Sequence, residues 1–147
     1  MSGTHSWEEE TALSTQRCVG GIVFDSDGRL LLILRGHAPS RGLWSLPGGR
    51  VESGETDTDA VVRELHEETG LSVRPERRVG VVTRDRYEIH DYACTVEGVE
   101  DTALRPGDDA ADARWVTDAE LADLDRAGLL TKGLHANLRD WGVLPRC

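Results

Sequence analysis

Glu64, Glu67 and Glu68 follow an i, i+3, i+4 spacing, so on a helix their carboxylates project from one face. At about 100° of rotation per residue, Glu67 and Glu68 flank Glu64 within an arc of roughly 100°. Charges placed this way repel one another unless a cation sits among them. Hard oxygen ligands on one rigid face suit a magnesium or manganese ion, above all where a phosphate substrate completes its shell. Three glutamates alone are ordinarily the solvated side of an amphipathic helix. Their frame sets these apart: Gly49 is followed after five residues by Glu55, and Glu55 after seven by Arg63-Glu64-Leu65-His66-Glu67-Glu68-Thr69-Gly70-Leu71.

That frame resembles the Nudix box, Gly-x5-Glu-x7-Arg-Glu-U-x-Glu-Glu-x-Gly-U with U aliphatic. Every fixed position is matched, with Leu65 and Leu71 in the U places. The resemblance implies a hydrolase that cleaves a diphosphate linked to another moiety by attack of a metal-activated water. It also implies an α+β fold, an α/β/α sandwich with a mixed central sheet. It is firmest over residues 44–71; residues 18–43 and 72–141 are compatible and less distinctive.

Carried onto this chain, the resemblance makes Glu64 and Glu68 metal ligands, with Glu67 binding directly or through water. Mg2+ is the implied cofactor and Mn2+ a substitute. The carbonyl of Gly48 is a further candidate ligand, against a plain turn glycine. Arg63 can hold a carboxylate in orientation with its two-pronged guanidinium, with Glu55 and Glu67 as expected partners. Arg35 ends a strand facing the loop before the site, where the family often places a phosphate-binding arginine; a strand-end surface charge is the alternative. Trp44 is a candidate wall for a base pocket, with core packing as its competitor. Asp109 lies six residues before Trp115 in the acidic stretch at 106–116. Some relatives carry a loop acid there that reaches the metals, and a solvated turn is the alternative.

The whole chain must position these groups. Its 147 residues are enough for one domain with its own core, and 38% hydrophobic with 30% charged residues is a globular balance. The expected division is a flexible leader over 1–16 and a single domain over 17–147. No apolar run approaches a bilayer-spanning length, and the leader lacks the basic and apolar regions of a secretory signal. A net charge of −10 argues against partnership with DNA, RNA or an anionic membrane. Between residues 49 and 70 there are seven Asp and Glu against two Arg, so an anionic nucleotide would be repelled without a bridging cation. Three widely spaced cysteines, Cys18, Cys94 and Cys147, fit a reduced, cytoplasmic protein in which they pack as small apolar residues.

Residues 18–24 and 30–35 read as strands around an Asp25-Ser26-Asp27-Gly28 hairpin turn, the second buried on both faces. A helix is expected from Thr56 or Asp57 to Gly70, with Val61, Val62, Leu65 and Thr69 as its core stripe. Strands follow at 79–83, 87–97 and 113–116. Thr117-Asp118-Ala119-Glu120 is a capping box for a helix through Leu124, and 129–141 reads as a last helix. The leading functional expectation is a pyrophosphohydrolase acting on ADP-ribose, another nucleotide sugar or a nucleoside triphosphate. A non-catalytic Nudix-fold module that senses a nucleotide is the alternative, disfavoured by the intact box. A homodimer is common among such proteins.

Overall fold

The computed structural model describes residues 15–37, 40–98, 103–107 and 110–146. The expected leader therefore lies almost wholly outside the described residues, and its last member, Gln16, already belongs to the first strand. In chain order the described elements are β1 (Gln16–Val23), β2 (Leu30–Arg35), β3 (Trp44–Ser45), β4 (Gly48–Arg50), α1 (Asp57–Thr69), β5 (Val73–Arg84), β6 (Tyr87–Val96), β7 (Ala110–Val116), α2 (Asp118–Arg126) and α3 (Leu134–Trp141). No described helix is long and apolar enough to cross a membrane.

The strands form two sheets. One is four-stranded and mixed, in the order β4-β1-β6-β5, with β1 and β6 parallel; the other is antiparallel, in the order β3-β2-β7. The turn after β1 forms as expected, with the Asp25 carboxylate accepting from the Asp27 and Arg29 backbone N–H groups. The hairpin, however, closes only at one bridge, Phe24 to Leu30, before β1 and β2 part into different sheets. Their sequences explain this, because both strands are apolar on both faces and each must be covered twice. Val19, Val23 and Leu31 enter a cluster with Ala60, Val61 and Leu65 of α1, while Ile22, Leu30 and Leu32 enter another with Leu121 of α2 and Leu134 and Leu138 of α3. Helices thus lie on both sides of the strands, which is the expected α/β/α sandwich.

Helix α1 obeys its sequence signals closely. Thr56 accepts from the Asp59 N–H at 3.1 Å while the Asp59 carboxylate accepts from the Thr56 N–H at 3.3 Å, and Gly70 ends the helix at φ 78°. A fork from Arg17 and the Tyr92 hydroxyl, each at 2.7 Å, fastens Asp57 to β1 and β6. Those bonds, the Arg17 one foremost, hold the Asp57 carboxyl down at about 2. The core stripe needs one correction: Val62 is 40% exposed, and Ala60 and Glu68 are buried in its stead. Val62 sits about 100° round the helix from Val61, on the side turned away from the sheet.

Four other expectations shift, the first being β7, which begins at Ala110 rather than at 113. β5 begins six residues early, at Val73; its polar first half is an edge strand with a register shift beside Pro75, so its composition hid it. α2 has the expected capping box and runs on to Arg126. α3 starts at Leu134 rather than Leu129, because Leu129 and Thr131 instead bracket Trp44 through backbone hydrogen bonds and Gly133 turns at φ 80°. Cys18 and Cys94 are free and buried, and burial pushes the Cys94 thiol up to about 12.

Leu65 is fully buried under β1, against Gly21. Leu65→Ala is expected to cost about 2–5 kcal/mol in urea unfolding, through lost burial and an unfilled cavity. A change below about 1 kcal/mol would mean that α1 is not anchored there.

Candidate functional site

The short edge strand β4 is where the helix carboxylates meet the sheet. The Gly48 N–H donates to Oε1 of Glu68 at 2.7 Å, and the Glu64 carboxylate fills the space a side chain at position 49 would need. A side chain at position 48 would collide with the Val19 carbonyl oxygen. Both glycines are therefore required by close approach, of backbone to backbone at 48 and of carboxylate to backbone at 49. Glu68 is buried, the Glu64 side chain is 15% exposed and the Glu67 side chain 55% exposed. Although the three share a helix face, only Glu64 and Glu68 reach the cavity beside it.

Arg63 holds this cluster from the side. Its Nε and Nη2 fork onto the two oxygens of Glu55 at 2.7 and 2.9 Å, and Nη2 also donates to the Arg50 carbonyl at 3.0 Å. Nη1 reaches Glu64 at 3.1 Å and Glu67 at 3.4 Å. Contact with Glu64 was not expected, because adjacent residues on a helix do not face one another; the guanidinium bends back to reach it. Glu55 also accepts from the Glu52 N–H, and the Arg63 bonds lead in holding its carboxyl at about 2. Arg63 is in turn pushed upward, first by Glu55. The fork stays charged across the working pH range.

A cavity of about 430 Å³ opens from Glu64, Glu68, Gly48 and Gly49 between the two sheets. Arg35 lines it at the end of β2. Trp44 does not: its ring is buried in the second apolar cluster with Arg114 stacked 4.9 Å from its centre. The base-wall expectation for Trp44 is therefore corrected to core packing; the flanking strand β2 runs into that cluster and takes the indole with it. Asp109 falls outside the described residues.

Beside β4 the donors are oxygens, the Glu64 and Glu68 carboxylates and the backbone at Gly48. Such a set fits a hard cation that retains waters and shares phosphate oxygens. Among the described residues, no three Asp, Glu, His or Cys side chains converge tightly enough to cage an ion unaided. Water and substrate oxygens would supply the balance.

Sequence reasoning missed Asp91. This β6 residue is 5% exposed and lines the cavity, and burial raises its carboxyl to about 7, opposed only by the charge of Arg84. The available signal was an acid within a strand whose neighbours alternate apolar and polar, which by itself identifies nothing.

A protein-family model described as NUDIX domain matches residues 14–136. An ADP-ribose pyrophosphatase of Methanocaldococcus jannaschii is 38% identical over 100 residues, covering 66% of this chain and 59% of that protein. A MutT-like protein of Streptomyces ambofaciens is 35% identical over 108 residues, covering 71% of this chain and 66% of its own length. This chain thus spans about three-fifths to two-thirds of those curated relatives. A solved Nudix hydrolase structure from Nitrosomonas europaea superposes with a TM-score of 0.73 at 22% identity, covering 90% of this chain and 76% of that one.

The Asp91 carboxyl generates a pH prediction. Its ordinary pKa of 3.8 applies unfolded and about 7 applies folded, so between those values the unfolded chain has lost a proton that the folded chain keeps. Stability from this group is complete below about pH 4 and is lost as pH rises through 7. The melting temperature of Asp91→Asn should therefore gain on the wild type across that window, with the gap fully open above pH 7. A gap independent of pH would contradict the assignment.

Proposed function

The chain belongs to the NUDIX family, and on that premise we propose a divalent-metal-dependent pyrophosphohydrolase that splits the diphosphate joining a nucleoside to another moiety. ADP-ribose or a related nucleotide sugar is the first candidate substrate, supported by the archaeal relative, and a nucleoside triphosphate is the second. The observation that carries the reading is the pair Glu64 and Glu68, brought to a ligand-sized cavity against a glycine strand by an arginine-clamped helix.

In this reading Glu64 and Glu68, Glu67 directly or through water, and the Gly48 carbonyl would hold Mg2+, or Mn2+ in its place. The bound metal supplies a lowered pKa for the attacking water and neutralises charge on the phosphate oxygens. Arg63 and Glu55 hold Glu64 and Glu67 in orientation, so that the carboxylates meet the substrate without first reorganising. Arg35 binds a phosphate oxygen from the end of β2. Asp109 contacts the metal or positions the attacking water in this reading, and Asp109→Asn should then lower kcat more than it raises KM. Two free, buried thiols support the cytoplasm as the compartment.

Two measurements follow. Glu64→Gln and Glu68→Gln should each lower turnover by at least ~10²-fold with a native circular dichroism spectrum. Glutamine at 68 still accepts from the Gly48 N–H, so loss of folding is not the expected cause. Rates near wild type at saturating Mg2+ would sink the metal assignment, and a protein that turned over nothing in a nucleotide panel while binding nucleotides would be a sensor. Mg2+ should also raise the melting temperature above that in Na+ at matched ionic strength, because only the folded chain gathers the carboxylates. Equal shifts would count against a specific site.

A further inference from the structure

Four positions lie in register across the mixed sheet: Gly48 on β4, Gly20 on β1, Asp91 on β6 and Gly80 on β5. Glycine inside a strand weakens a sheet and marks places where another group must approach the backbone. The space a side chain at position 20 would need holds the Asp91 carboxyl, and that at position 80 holds the Trp141 indole. The row is therefore cleared around one acid and covered at its far end by an aromatic ring. No hydrogen bond from a described residue reaches the Asp91 carboxyl, although it is nine-tenths buried. Leaving such a group unpaired costs stability, and nothing in the packing of the fold uses it. It opens into the same cavity as Glu64 and Glu68, beside Val82, Ile89 and Tyr87 on the same sheet face.

We propose that Asp91 is a specificity-determining residue, whose carboxyl accepts a hydrogen bond from the exocyclic amine of the substrate's nucleobase. The proposal rests on the cavity being the diphosphate site and assigns its other end. Arg84 shares the Asp91 end and its charge acts on the carboxyl, so the phosphates are assigned to the other end by Glu64, Glu68 and the ion they would hold, with Arg35 beside them. Val82, Ile89 and Tyr87 offer apolar surface for a flat ring, and at least one Asp91 oxygen accepts in either protonation state. The vicinal hydroxyls of a sugar share the donor chemistry, and the test separates them from the base.

Binding of uncharged nucleosides to the full-length protein, read by calorimetry without metal, bypasses turnover. The wild type should bind adenosine at least ~10-fold tighter than it binds purine riboside, which lacks only the amine. Asp91→Leu, which keeps the side chain's branched shape and has no acceptor, should lose most of that preference, and its melting temperature should match or exceed that of the wild type, since an unpartnered buried acid has gone. 2′,3′-Dideoxyadenosine should bind like adenosine; if it alone loses affinity, the acid reads the sugar and the base assignment is overturned. Equal preference in wild type and variant, no nucleoside binding by the wild type, or a destabilised variant would each overturn the proposal. Absence of hydrolysis with the predicted binding pattern intact would instead overturn the enzymatic reading alone.

Discussion

A helix touches an edge strand through two glycines, and the rest of the site depends on that contact. Glu68 receives a backbone N–H from Gly48 and Glu64 occupies the vacancy at Gly49. A side chain at 49 would push Glu64, and α1 with it, off β4, and one at 48 would push β4 off β1. The carboxylates would then stand in solvent, where their mutual repulsion is screened and their geometry is free. Pressed against the strand, they keep their position. The two capping motifs, the Leu65 anchor and the Arg17–Asp57–Tyr92 tie all serve to keep the helix at that distance.

Concentrated negative charge is the cost of the arrangement, and Arg63 offsets part of it. One guanidinium contacts Glu55, Glu64 and Glu67, and its strongest fork is spent on Glu55 rather than on the cavity. Glu55 thereby fixes the guanidinium plane, leaving Nη1 for the helix glutamates. A lysine could carry the charge but not the plane. Under the proposed reaction, the residual negative field would require a cation between the carboxylates and an anionic substrate.

Much of this was legible in the chain because it is local. Helix-face spacing, Thr56 and Thr117 as caps, Gly70 as terminator and the framed arginine are all relations within about one or two dozen residues. Expectations failed where a partner strand decided the outcome. Val62 is as apolar as Val61, and only the angle at which α1 meets the sheet turns one out. Residues 129–133 carry a helical apolar spacing, yet backbone pairing with Trp44 holds 129–131 extended and a turn follows at 132–133. The same pairing places the Trp44 indole in the core. Asp91 was invisible for a related reason: Gly20, Asp91 and Gly80 form a row only after a parallel and an antiparallel register are both set.

The central claim is that Glu64 and Glu68, held against β4, bind a divalent ion together with the substrate's diphosphate. Mn2+ binding read by electron paramagnetic resonance, with and without a non-hydrolysable ADP-ribose analogue, tests it most directly. The wild type should deplete the free Mn2+ signal, and the analogue should deepen that depletion because phosphate oxygens complete the shell. The Glu64→Gln, Glu68→Gln double variant should lose both effects. Mn2+ binding that survives the double substitution, or that is indifferent to the analogue, would contradict the account.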